Sequence, residues 1–403
     1  MTQTRAQRPG TERLGTAGVA VTIAATLTNG LAYLVPVLAA RQLDAAELSA
    51  LATALGLVAI ASVPGLGLQL AVAVHHARHG RTATGRATLV TAAISGGALV
   101  AATPLLTASL HLPVETPALL AVTTAAVVLS SRRLGELQGG QRFLRLAVGM
   151  ALLAAGRYGG VVAGLLLGAG LTGSLLLGAL TAALVPLVLA RLAGPSAPTP
   201  STAPPLSAGQ VVVGCGATLA MLVVSYADLL LARQLLPPAE SGAYAVGTVL
   251  TKGALWAPQV VTVLALPRLA RGDRRSRTVA LAVTGGSGLL LVLASALAGG
   301  LAFRLAGGPD YAHLGAHAPL FAAVGALYAV VFVLLNAQVA AGARWPAAPL
   351  WAATVGLVVV AVAVAPRTVT GLLWSALGTA VVAAVAMAAV ALRQRPAASA
   401  GPE

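Results

Sequence analysis

Twelve apolar runs of 18 or more residues divide the chain, and nearly all of its charge lies in the short segments between them. A run of that length is long enough to cross the roughly 30 Å hydrocarbon core of a bilayer as a helix. The runs fall near residues 17–39, 48–74, 87–110, 114–131, 143–168 and 171–190, then 210–233, 241–267, 278–300, 317–341, 346–364 and 368–391. Composition closes off the alternatives. Of 403 residues, 58% are apolar and 9% are charged, against about 25% charged in soluble domains. Water-soluble folds and intrinsic disorder are both excluded. The period-two alternation of a membrane β-barrel is absent. The expected fold class is an all-α polytopic membrane protein with about twelve transmembrane helices.

The connecting segments carry an orientation signal. Alternate connections, counted from the N terminus, hold 19 arginines; the other set holds only Arg41, Arg233, Arg304 and Arg367. The positive-inside rule then places both termini in the cytoplasm, in a multi-pass protein of the cytoplasmic membrane. The formal charge of +15 is accordingly a topology signal with anionic-lipid contact, not a nucleic-acid footprint. Aromatics, at 3%, are too few for a base-stacking surface. The first run follows Arg5, Arg8 and Arg13 as a signal peptide would. It is longer than an h-region, and Ala39-Ala40 is a weak cleavage site, so it is expected to remain as helix 1.

The segment GPSAPTPSTAPPLSAG, residues 194–209, has linker composition. It predicts two six-helix bundles, residues 1–193 and 210–403, joined by a cytoplasmic linker. The halves resemble each other: LAARQLDAAE from Leu38 answers LLARQLLPPAE from Leu230, matching Arg41 to Arg233 and Glu47 to Glu240. Six helices per repeat is an even number, so the repeats are parallel, related by an axis along the membrane normal. Transporters of that design hold substrate between the halves and rock them.

The stretch from Tyr226 to Gly272, YADLLLARQLLPPAESGAYAVGTVLTKGALWAPQVVTVLALPRLARG, resembles the polysaccharide transporter branch of the MOP superfamily, which includes the Wzx-type oligosaccharide flippases. MurJ and the MATE exporters are more distant relatives. The features that carry the resemblance are Asp228, Leu231-Ala232-Arg233, the Pro237 to Tyr244 turn and the Pro267-Arg268-Leu269-Ala270 exit. The first-half turn, DAAELSALA, lacks the usual proline and glycine. The resemblance implies a pair of six-helix bundles that flips a polyprenyl-linked glycan precursor outward by alternating access. The partners expected are a lipid-linked oligosaccharide, membrane lipids, and the glycosyltransferases and polymerase of the same pathway; no nucleic acid is expected, and the oligomeric state is left open with a monomer as the expectation.

Three ionisable residues lie within spans: Arg157, Asp228 and Lys252. Each such group costs a few kcal/mol to insert, which makes it a candidate functional residue by default. Arg157 lies eleven residues from the outer end of run 5, and Lys252 lies eleven residues into run 8. Both would then sit about 16 Å deep. Facing each other, they would suit a diphosphate: Arg157 as a bidentate fork, Lys252 as a point charge. Asp228 is expected either to neutralise Lys252 or to carry a coupling proton. Asn29, mid-span on helix 1, and Arg41 and Arg233, at the outer helix ends, complete the candidate substrate site; snorkelling to the interface alone would also explain the two arginines. Gln69, Gln259, Asn336 and Gln338 are expected to join helices. The glycine ridge Gly156, Gly160, Gly164, Gly168 predicts a close helix contact. Pro36, Pro64, Pro104, Pro186 and Pro258 predict kinks.

No covalent chemistry is expected. The chain has no Walker A motif, and with a single cysteine, Cys215, no cysteine-based zinc site. No cofactor or metal is called for. Alternatives are a MATE-type exporter, whose cavity would be net acidic, and a major-facilitator exporter, whose G-x-x-x-D-R-x-G-R-R pattern HARHGRTATGR does not meet. A membrane glycan polymerase or glycosyltransferase would use Asp44 and Glu47 but generally needs a longer outer loop.

Overall fold

A computed structural model describes residues 11–79, 84–194, 208–256, 274–340, 343 and 345–393. They form helices and short connections, with no strand among the described residues. The helices are α1 (Thr11–Gln42), α2 (Ala45–Ala61), α3 (Val63–His79), α4 (Gly85–Ala101), α5 (Thr103–Leu110), α6 (Thr116–Gly139), α7 (Phe143–Leu166) and α8 (Gly170–Ala193). They continue with α9 (Ala208–Leu235), α10 (Pro238–Trp256), α11 (Arg274–Gly307), a 3-10 helix (Pro309–His317), α12 (Ala318–Ala340), α13 (Ala348–Ala363) and α14 (Val369–Arg393). Each of the twelve expected spans coincides with one of these elements or a pair of them. The end of span 8 with Pro258 and Gln259, the Pro267 exit and most of the linker lie outside the described residues.

Among the described residues, eight helical segments are long and apolar enough to cross a membrane, nine if α4 and α5 count as one bent span. α13 is equally apolar but only 16 residues long. Two of the expected proline kinks are helix breaks. Pro64 and Pro104 each stand second in a new helix, α3 and α5. There the missing N–H costs nothing, because first-turn amides have no intrahelical partner. α4 and α5 meet at 46°. Pro36 and Pro186 are carried inside α1 and α8.

The chain forms two compact units. Unit 1 takes in Met1–Val35, Ala61–Ala102 and Glu115–Cys215, and unit 2 takes in Pro36–Ile60, Thr103–Val114 and Gly216–Glu403. The end of α1, with α2 and α5, thus packs with the C-terminal helices.

In unit 1, α6 is flanked by α3, α4 and α8, and α7 lies along α8. Small residues set these distances. A Cβ at Gly135 of α6 would come within 2.5 Å of the Gln69 carbonyl oxygen on α3. On α7, Gly156 faces Thr181 and Val185, Gly160 faces Leu177 and Thr181, and Gly164 faces Ser174. The close approach lets the Thr181 hydroxyl donate to the Gly156 carbonyl at 2.6 Å. Gly168 is not part of this ridge; it stands beyond the end of α7 at φ +67, a left-handed position that glycine occupies without strain. In unit 2, α12 is central, contacting α10, α11 and α14. Tyr244, Phe303, Phe321 and Tyr328 are its largest fully buried side chains. Tyr244 and Phe303 both meet Phe321 edge-on, with centroids 5.1 and 6.1 Å apart.

Gly160→Leu is expected to destabilise unit 1 by about 1–3 kcal/mol through overpacking, since a Cβ there would already lie 2.6 Å from the Leu177 carbonyl carbon. Gly159→Ala, with nothing within 4 Å, should leave the thermal midpoint in detergent unchanged; equal losses for both would refute the packing assignment.

Candidate functional site

The ARQL and PPAESGAY segments of unit 2 form one connected polar structure. α9 ends at Leu235, and Pro238, at the N terminus of α10, starts the return helix. Arg233, in the last turn of α9, donates from Nε to the Leu110 carbonyl at 2.9 Å. Its Nη1 donates to the Ala46 carbonyl at 2.8 Å, and its Nη2 to the His111 carbonyl at 3.1 Å. Leu110 and His111 end α5, where carbonyls lack helical partners and a cation is favoured. Arg233 is therefore a clamp on helix ends. It neither snorkels freely nor keeps a guanidinium free for a ligand. Its repeat partner Arg41 is exposed in the last turn of α1.

The turn residues also have packing roles. Glu240 accepts the Val369 N–H at 3.1 Å, capping the start of α14. A Cβ on Gly242 would come within 2.6 Å of the Ala45 carbonyl oxygen at the start of α2. In the first repeat, Asp44 caps α2 by accepting the Glu47 N–H at 2.8 Å.

Deeper in the unit, Asp228 is 2% exposed. Its Oδ2 accepts from the Tyr244 hydroxyl at 3.0 Å, and its Oδ1 from the Leu229 N–H at 2.9 Å. Lys252 on α10 reaches back to α9. Its Nζ donates to the Ser225 carbonyl and lies 3.2 Å from the Ser225 hydroxyl. The ammonium also lies over the Tyr226 ring, 3.5 Å from its centroid, a cation–π contact. Ser225 and Leu229 are i, i+4 partners, so carboxylate and ammonium engage the same rung of α9. Lys252 and Asp228 interact electrostatically but form no direct ion pair. Ion pairs do form in unit 1, from Arg132 and Arg133 to Glu136. Tyr328, also fully buried, has a hydroxyl without a hydrogen-bond partner that interacts electrostatically with Asp228. Ser225, Tyr226 and Tyr328 were not singled out from the sequence. A polar aromatic inside an apolar run was the available signal for the two tyrosines.

Arg157 lies in unit 1, on α7. Its guanidinium lies 5.0 Å from the centroid of the Tyr158 ring. Its Nε is buried without a hydrogen-bond partner, and no carboxylate pairs with it among the described residues. Asn29 is exposed on α1. The expectation that Arg157 and Lys252 sit equally deep is not met along their own helices. Arg157 is nine residues from the end of α7, about 14 Å, and Lys252 fourteen from the start of α10, about 21 Å. The reason is Pro238, which starts α10 three residues before the expected boundary.

The other polar residues join helices or bond locally. Gln69 donates to Gln138 at 3.1 Å between α3 and α6, and Gln338 donates to the Met387 carbonyl at 3.1 Å between α12 and α14. Asn336 bonds the Phe332 carbonyl one turn back in its own helix. The described residues contain no cluster of three or more His, Cys, Asp or Glu side chains able to hold a metal.

No protein-family model matches the chain, and no curated protein matches it. Solved structures match its fold. Lipid II flippase MurJ, in an inward closed conformation, has a TM-score of 0.67 at 12% identity, covering 93% of this chain and 87% of that one. An inward-facing multidrug resistance MATE family transporter of the MOP superfamily has a TM-score of 0.65 at 14% identity, covering 94% of this chain and 100% of that one. A eukaryotic MATE transporter has a TM-score of 0.61 at 15% identity, covering 94% of each chain. The chain shares the fold of these MATE and MurJ structures.

Tyr244→Phe is expected to cost about 1–3 kcal/mol, because buried Asp228 loses a donor. Arg233→Gln, which strips donors from three carbonyls, should lower the thermal midpoint in detergent, while Arg41→Gln should leave it unchanged. An Arg233 variant as stable as the Arg41 variant would refute the clamp.

Proposed function

We propose that this protein is a membrane transporter that moves a polyprenyl-diphosphate-linked oligosaccharide outward by alternating access. It would sit in the cytoplasmic membrane with both termini inside. The observation that carries the reading is Arg157: a guanidinium within a span, with a buried Nε that has no hydrogen-bond partner and with no carboxylate paired to it among the described residues. Such a charge is costly in hydrocarbon unless it faces a wet cavity or an anion. A guanidinium fork fits two oxygens of a phosphate. In this reading Arg157 grips the diphosphate and Lys252 adds a point charge, its position held by Ser225 and Tyr226. Asp228, itself held by Tyr244 and Leu229, tunes the field at Lys252. Arg41 and Asn29, both exposed, remain available to the sugar head group, whereas Arg233 holds helix ends.

A MATE-type exporter is the second reading, favoured by the fold likeness to MATE transporters. Net charge separates the two. Asp228 stands against Arg157 and Lys252 within the spans, a balance that suits an anionic cargo better than a cationic drug.

The test is translocation in liposomes holding the purified protein and a fluorescent polyprenyl-diphosphate sugar. Arg157→Gln and Lys252→Gln should each lower the rate at least tenfold, with unchanged melting for Arg157→Gln. Full transport by both variants would end the site assignment. Export of organic cations, with no lipid-linked sugar moved by the parent protein, would decide for the MATE-type reading.

A further inference from the structure

We propose that the arginine-rich end of unit 1 is a binding site for anionic phospholipid, with the lipid phosphate held by Arg142, Arg145 and Arg191. This inference does not rest on the identity of the transported substrate.

At one end of unit 1, the start of α4, the end of α6, the start of α7 and the end of α8 meet. Gly85, opening α4, lies against the Arg132 guanidinium of α6. Arg142, immediately before α7, donates Nη1 to the Ala193 carbonyl at the end of α8, at 3.4 Å. Beneath them Leu134, Leu137, Leu146, Val185, Leu189 and Ala193 close one apolar cluster, so the helix ends are fixed relative to each other. This end carries Arg86, Arg132, Arg133, Arg142, Arg145 and Arg191. Glu136 is the only carboxylate among the described side chains there, and it is shared by Arg132 and Arg133, each at 2.9 Å. Arg142, Arg145 and Arg191 are exposed and have no carboxylate partner among the described residues.

The surface below these arginines selects the occupant. Leu144 and Val148 on α7, and Leu184, Leu187 and Val188 on α8, are exposed apolar side chains. They lie within four residues of Arg145 and seven of Arg191 on their helices. A soluble polyanion would satisfy the guanidiniums and leave that surface uncovered. A phospholipid with net negative charge covers both, its phosphodiester on the arginines and its acyl chains along α7 and α8. Clusters of basic residues at helix ends attract anionic lipids by about 1 kcal/mol per residue.

The test is native mass spectrometry of the full-length protein, released from micelles doped with phosphatidylglycerol or with phosphatidylcholine of the same acyl chains. The parent should retain phosphatidylglycerol at least tenfold more, and that preference should fall as salt rises. Arg145→Gln with Arg191→Gln should remove most of it, while Arg367→Gln, an exposed arginine of unit 2, should leave it intact. Equal retention of the two lipids by the parent would overturn the proposal. So would an unchanged preference in a double variant that melts normally. If the glutamine pair does not fold, Arg145→Lys with Arg191→Lys takes its place and should keep most of the preference. Complete displacement by an equal concentration of glycerol 3-phosphate would mark a site for free phosphate and overturn the lipid assignment. Retention of RNA in place of lipid would overturn it equally.

Discussion

Inside hydrocarbon, a polar group must find its partner within the protein, because no water is there to supply one. That constraint organises this molecule more than hydrophobic burial does, since lipid tails are as apolar as leucine. It accounts for the all-helical backbone. It also accounts for the placement of breaks at Pro64 and Pro104, where a first-turn position leaves no amide bond to lose. Helix contacts are then made by removing side chains: Gly135 against α3, and Gly156, Gly160 and Gly164 against α8.

The same constraint explains what became of the charged motif residues. Arg233 answers three carbonyls, Glu240 answers a helix N terminus, and Asp228 answers Tyr244 and Leu229. These residues hold the ends of α2, α5, α9, α10 and α14 in one arrangement. Removing one partner of such a network costs more than the bond itself, because the other is left buried and unpaired. Arg157 is the exception. Its guanidinium lies beside the Tyr158 ring, and no carboxylate pairs with it among the described residues.

In unit 2, Lys252 is tied to Ser225 and Tyr226. Unit 1 presents Arg157 on a helix whose glycines bring α8 close.

Much was legible before any coordinates. Span number, the all-α class and the MOP resemblance follow from run length and from motif residues at one topological position, because bilayer thickness leaves little choice. The glycine ridge was legible too, except that Gly168 belongs to a helix end. The partners of polar groups were not legible. Arg41 and Arg233 occupy matching places in the repeat, yet one is exposed and the other clamps α5 and α2. Nothing in ARQL distinguishes them, since the carbonyls concerned lie more than a hundred residues away in sequence. The direct partner of Asp228 is Tyr244, not Lys252, and the helix that carries Lys252 starts early, at Pro238. Periodicity and hydropathy are local and one-dimensional, so the sequence by itself determined which segments enter the membrane. Which polar atom meets which depends on helices distant in sequence packing side by side, and only the tertiary structure decided that.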